Sequence, residues 1–286
     1  MPVAPPPPAP EAPATPLPEG AIDAHVHIVA GDFPLWERRV EDPPPGDLTA
    51  WLARLEAHLA ALGAGRVVLV HSILHGTAND VTLAALARLG DRARGVGLLP
   101  DGADEAALDR LAGAGVRAVR LNYVHGGVLS WDGAKALAPA LAARGMHIEM
   151  LLHAHLHLEA LAGEIAALPC PLVIDHIGWP DLAGGAEAPG VRTLCRLLAE
   201  GRVWVKLSAP YRMCTAPYDE AAPVVAALAA ANSERLLWGS DWPHLMLGGA
   251  AMPRAAALAD AVQDVVTGAE ARRRLFVSNP AALYAF

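Results

Sequence analysis

Three histidines and one aspartate attract attention by where they fall. His25 and His27, in IDAHVH, are two residues apart, the spacing that places two side chains on one face of an extended strand. Such a pair alone says little. Twelve histidines in 286 residues yield about half an HxH pair by chance, and His153, His155 and His157 repeat the spacing. Position is more telling. His176 closes the apolar run of LVIDHIGWPD, and Asp241 closes that of LLWGSDWPH. Arg120 and Asn122 share a face at the end of VRAVRLN, and His71 and Ser72 follow VVLV. These groups allow two chemistries. Imidazoles and a carboxylate can hold one divalent ion, zinc or manganese, that acidifies bound water. The ligands would be His25, His27 and Asp241, joined by His176 or His153. Alternatively Asp241 takes a proton from water while the histidines donate hydrogen bonds to a developing oxyanion. The residues by themselves leave both open.

Other candidates carry weaker signals. Lys206 lies among apolar positions in VWVKLS. Such a lysine either performs Schiff-base chemistry or, more commonly, pairs with a buried carboxylate. Arg212, in SAPYR, can join Arg120 in clamping a carboxylate. Tyr211, Tyr123, Thr77 and His244 are candidate wall residues. His58 falls within an amphipathic helical pattern and is expected at its surface.

The elements that position these residues alternate. Strands are expected at Ala21–Ile28, Arg66–Ile73, Arg94–Leu99, Val116–Asn122, Met146–Leu152, Pro171–His176, Arg202–Ser208 and Arg235–Asp241. Helical periods lie between them, including Leu48–Leu62, Val81–Leu89, Glu105–Ala112 and Gly133–Ala143, with Gly63, Gly113 and Gly145 where helices should stop. Eight such units predict a single-domain (β/α)8 TIM barrel over residues 20–286. A doubly wound open sheet is the alternative, but no GxGxxG follows the first strand. His25, His27, His71, Ser72, Arg120, Asn122, His176 and Asp241 fall at strand C-terminal ends, the face on which barrels do chemistry. Two long connections, 29–47 with Trp36, Arg38 and Arg39, and 242–253 with Gly248 and Gly249, are placed to form walls or lids.

Composition narrows the function classes. Hydrophobic residues make up 53% and charged residues 18%, enough for a large core. The net charge of −8 argues against a nucleic-acid platform. No apolar run has membrane-spanning length, and no signal-peptide pattern opens the chain. Cys170, Cys195 and Cys214 form neither a disulfide framework nor a CxxC site, which predicts a cytoplasmic protein. Residues 1–19 include nine prolines and are expected to be a disordered Pro/Ala-rich tail. Nothing specifies an oligomeric state.

GAIDAHVHIV, HSILHGTAND, GVRAVRLNY, LVIDHIGWPD, VWVKLSAPYR, LLWGSDWPH and VSNPAALY, in that order, resemble the amidohydrolase-related TIM-barrel family, and within it the 2-pyrone-4,6-dicarboxylate lactonase branch. The resemblance spans residues 18–286. It implies hydrolysis of a lactone C–O bond with no metal required. Asp241 would activate water, and His25, His27 and His176 would polarise the carbonyl. Arg120 and Arg212 would hold substrate carboxylate, with Ser72, Asn122, Trp179 and His244 beside them. The chain departs from the branch where Trp179 replaces an arginine, Leu151 replaces a tyrosine, and an arginine near Gly126 is missing. Losing cations from a dicarboxylate site predicts a small lactone or organic acid with fewer charges, and an aromatic- or sugar-acid catabolic role. The rivals are a metal-dependent hydrolase or decarboxylase, a lactone isomerase, and a non-catalytic barrel that binds a small acid.

Overall fold

The computed structural model describes residues 1–286. Its strands are β1 (Ile22–Val26), β2 (Arg66–Val70), β3 (Ala93–Gly97), β4 (Val116–Asn122), β5 (His147–Leu151), β6 (Leu172–Ile174), β7 (Val203–Leu207) and β8 (Leu236–Trp238). Each is parallel to the next in chain order. The helices used below are α1 (Leu48–Leu62), α2 (Asp80–Leu89), α3 (Glu105–Gly113), α4 (Trp131–Ala143), α5 (Glu159–Ala166), α6 (Pro189–Ala199), α7 (Ala222–Asn232), α8 (Ala255–Val265), α9 (Ala269–Arg273) and α10 (Asn279–Tyr284). Local chemistry sets several boundaries. Asp47 caps α1 by accepting from Ala50 N, and Gly63 stops it in the left-handed conformation that a glycine adopts without penalty.

The last strand returns to the first, which decides for a barrel over an open sheet. Asp241 N donates to His25 O at 2.9 Å, and His27 N donates to Trp242 O at 2.8 Å. This seam joins the backbones of the very segments that carry the candidate residues. It closes because position 239 has no side chain: a Cβ on Gly239 would lie 2.6 Å from His25 N. The chain turns away from the sheet soon after β6 and β8, earlier than the sequence suggests. His176 (φ 54°) and Asp241 (φ 60°) therefore stand just beyond their strands in the left-handed region. That conformation costs a non-glycine residue about 1–3 kcal/mol and persists only where surrounding contacts impose it.

The barrel interior is apolar in one layer and charged in another. Ile22, Ala24, Val68, Val96, Ala118, Val173 and Leu237 pack together with Tyr284 of α10. A register shift between Asp23 and Val26 then changes the inward face of β1. A bulge of this kind re-aims side chains. Asp23 meets His58 of α1, whereas His25 stands beside Lys206 of β7.

Two expectations are corrected. His58 is buried, not a surface residue: its Nε2 lies 3.2 Å from Asp23 Oδ2, and its ring stacks on Trp242. Residues 1–19 form an extended strap along the barrel instead of a free tail. Ala4 N donates to Asp42 O, Asp42 N donates to Pro2 O, and the Ala14 and Thr15 amides donate to the Asp260 carboxylate. Proline removes donors from such a strap but leaves its carbonyls and the intervening amides able to bond. All three cysteines are free thiols. No helix is long and apolar enough to cross a membrane.

Candidate active site

A cavity of about 1090 Å³ opens at the C-terminal ends of the strands. Both long connections wall it, through Trp36 and Arg38 on one side and Leu245–Gly248 on the other. They are tied together, since Met246 N donates to Glu41 Oε1 at 2.7 Å.

Asp241 lies on the cavity floor, about 1% exposed. One carboxylate oxygen, Oδ1, faces His27 Nε2 at 3.2 Å and His25 Nε2 at 3.5 Å. The other, Oδ2, accepts from Tyr211 OH at 2.5 Å and Arg212 Nη2 at 3.0 Å, with His176 Nε2 at 3.9 Å. Burial would raise the Asp241 pKa. His176 and the Arg212 guanidinium beside it outweigh burial and hold the carboxyl well below its usual range. These neighbours favour the carboxylate form of Asp241. The same carboxylate, with burial as the larger cause, pushes the Tyr211 phenol well above its usual value and keeps it a donor.

The histidines differ in what their Nδ1 atoms meet. His27 Nδ1 lies 2.7 Å from Val70 O, so this nitrogen carries hydrogen. Burial lowers the His27 pKa, against the opposing pull of Asp241. When His27 is neutral, a bare Nε2 and Oδ1 of Asp241 form an electron-rich edge that attracts a proton or a cation. His176 Nδ1 contacts Ser208 Oγ at 2.9 Å, and burial pushes its pKa well down. His25 Nδ1 contacts Lys206 Nζ at 3.2 Å.

Other expected residues are distributed unevenly. Arg120, Asn122, Trp179 and Arg212 line the cavity. Asn122 Oδ1 accepts from His125 N and so shapes the loop after β4. Arg212 does not form the free clamp expected from sequence: besides Asp241, it donates to the Leu245 and Met246 carbonyls. Arg120 has only Asp175 Oδ2 nearby, at 3.5 Å from its Nε. Ser72, His244 and His25 do not line the cavity, and His25 is fully buried. Ser72 Oγ accepts from Leu74 N to cap a tight turn, and His244 is buried edge-on against Tyr211. His153 lies against the Trp179 ring, outside the groups able to hold a metal. Tyr211, which the sequence marks only as a wall candidate, and Asp175, which it does not mark, both belong to the network.

Residues 22–286 match the amidohydrolase family. The chain belongs to that family. It is 32% identical over 290 residues to a 2-pyrone-4,6-dicarboxylate hydrolase of Comamonas testosteroni, covering 96% of this chain and 93% of the relative. It is 33% identical over 281 residues to a 4-sulfomuconolactone hydrolase of Rhizobium radiobacter, covering 94% and 91%. A crystal structure from Agrobacterium tumefaciens shares the fold with a TM-score of 0.83 at 24% identity, covering 96% of this chain and 97% of that one.

The donor set of this amidohydrolase is compatible in spacing with one divalent ion. His25, His27 and Asp241 offer atoms within 4.8 Å of one another. Two donors about 2.1 Å from a tetrahedral ion lie about 3.4 Å apart, close to the 3.2 and 3.5 Å separations here. The His27 Nδ1 contact with a backbone carbonyl also matches the outer bond of a metal-ligating imidazole. His25 fits only if its Nε2 is bare. When bound, a divalent ion would acidify a coordinated water.

Proposed function

We propose that this amidohydrolase hydrolyses a lactone of a small organic acid bearing one anionic group. The observation that carries the reading is a buried, ionised carboxylate on the floor of a large cavity, ringed by three imidazole nitrogens 3.2–3.9 Å away. A water above the His27–Asp241 edge can donate hydrogen to both acceptors. As it attacks the lactone carbonyl, Asp241 takes its proton and the carbonyl oxygen gains charge, stabilised by N–H donors from His25 and His176. The C–O bond of the ring then breaks, and the proton passes to the leaving oxygen to give the open hydroxy acid.

The substrate's anionic group is assigned to Arg120, whose guanidinium lines the cavity and makes no hydrogen bond within the protein. Arg212 is committed to Asp241 and two carbonyls, which takes it out of the cations open to the substrate. Trp179 and Leu151 supply apolar wall for the rest of the molecule. A metal-dependent hydrolase is the second reading, favoured by the donor distances around Asp241.

The test is acid release from a panel of pyrone mono- and dicarboxylates, muconolactones and sugar lactones, with and without chelator. The expected result is chelator-resistant hydrolysis with preference for monoanionic lactones. Asp241→Asn should abolish turnover while leaving the circular dichroism spectrum unchanged. Full efficiency on the dicarboxylate, or near-normal activity in Asp241→Asn, would overturn the reading. Rearranged lactone without acid release would indicate an isomerase.

A further inference from the structure

We propose that Lys206 is a positioning residue: it holds His25 in the tautomer with hydrogen on Nε2, which turns an N–H toward Asp241 on the cavity floor. The catalytic consequence rests on the lactone-hydrolase reading, but the tautomer itself does not.

Lys206 is fully buried in β7, where an ammonium needs an acceptor for each hydrogen. Its Nζ lies 2.7 Å from Glu149 Oε2, 3.2 Å from His25 Nδ1 and 3.6 Å from Asp175 Oδ1. An ammonium is only a donor. His25 Nδ1 is therefore the acceptor in their contact, and a neutral imidazole with a bare Nδ1 carries its hydrogen on Nε2. The competitor is Asp175, whose Oδ1 is 3.5 Å from the same Nδ1 and could accept from it. Lys206 is nearer, and neither carboxylate oxygen of Asp175 accepts a hydrogen bond within the protein.

The far side of the ring favours the same tautomer. His25 Nε2 has no hydrogen-bond partner, and Asp241 Oδ1 stands 3.5 Å from it. An N–H at this position is attracted to that carboxylate. The arrangement has a second consequence. An Nε2 that carries hydrogen has no lone pair for a metal, so His25 is withdrawn from the candidate ligand set while Lys206 is in place. Two carboxylates, Glu149 and Asp175, are balanced by Lys206 and Arg120, so removal of the lysine needs a matching loss of negative charge.

The experiment reads tautomers directly. Histidine-selective 15N labelling, with His25→Gln for assignment, is applied to the wild-type protein and to Lys206→Met/Glu149→Gln, which keeps the charge balance. The wild type is expected to show His25 protonated at Nε2. The double variant is expected to shift to Nδ1–H, with Asp175 as the new acceptor. Its kcat on the best lactone should fall about a hundredfold, the loss typical of one oxyanion donor, with KM little changed. Its zinc affinity should rise about tenfold, the lower end of outer-contact effects on metal sites. An Nδ1–H signal in the wild type would overturn the proposal, and that spectrum decides even for a variant that fails to fold. An unchanged tautomer or wild-type kcat in a folded double variant would also overturn it, reducing Lys206 to charge balance. Silence of the wild type on every lactone would instead count against the hydrolase reading and leave the tautomer spectra readable.

Discussion

Lowering the pH from 7 to 5 should destabilise this protein sharply, because its buried imidazoles are held neutral. His71 and His244 are each about 1% exposed, and burial pushes both pKa values down to about 3. His71 is fully bonded when neutral, through Gly76 O at 3.0 Å and Thr82 Oγ1 at 2.8 Å. In the unfolded chain both rings titrate near 6.5. The folded pKa is the lower one, so the unfolded state binds more protons below 6.5. Stability is thus present above that value and drains as pH falls toward 3. At pH 5 the loss is about 2 kcal/mol per ring, or about 4 kcal/mol together, a large part of a typical 5–15 kcal/mol. His27, His147 and His176 are shifted in the same direction and add to it. The depressed carboxylates Glu149, Asp175 and Asp241 act below the unfolded carboxylate range and contribute little between pH 7 and 5. Urea unfolding followed by tryptophan fluorescence at the two pH values measures the difference. In His71→Gln, whatever its own cost, the pH-dependent part should shrink by about 2 kcal/mol. A total change below about 1 kcal/mol, or an equal change in the variant, would refute the link between burial and acid lability.

Three further outcomes follow from the geometry. Arg120→Met should raise KM for an anionic lactone roughly 10–100-fold, the range of one charge-assisted hydrogen bond, and leave a neutral lactone nearly unaffected. Steady-state kinetics on the matched pair checks it. Trp179→Arg should shift the ratio of kcat/KM toward dianionic lactones by a similar factor; an unchanged ratio would mean that position 179 does not read charge. Gly239→Ala should cost about 1–3 kcal/mol or more in denaturant unfolding, because the new Cβ would fall 2.4 Å from His25 Cβ at the closing seam.

The barrel was readable from sequence because its signals are local. Short β-branched runs alternate with helical periods, and capping residues mark where helices begin and end; α1 runs from Leu48 to Leu62 as its pattern suggests. The gathering of His25, His27, His176 and Asp241 was readable for the same reason, since each closes a strand and a parallel barrel brings strand ends to one rim. His58 was misread because helical periodicity gives a face but not what covers it. Here Asp23 does, turned toward α1 by the alternation that points Ile22 and Ala24 into the barrel. The proline-rich strap was misread because composition speaks to core formation and not to a few backbone bonds at Asp42 and Asp260.

Sequence alone therefore determined the order of the elements, the rim on which chemistry is done, and the residue types available there, because these depend on spacing along the chain. Tertiary structure decided what each residue is free to do. Arg212 was marked as a substrate clamp, yet its guanidinium is spent on Asp241 and the carbonyls of Leu245 and Met246. Lys206 and Glu149 lie 57 positions apart, and Lys206 and His25 lie 181 apart, yet they meet inside the barrel. Tautomer, charge state and hydrogen-bond occupancy are properties of contacts between distant segments, and only closing the barrel brings those contacts into being.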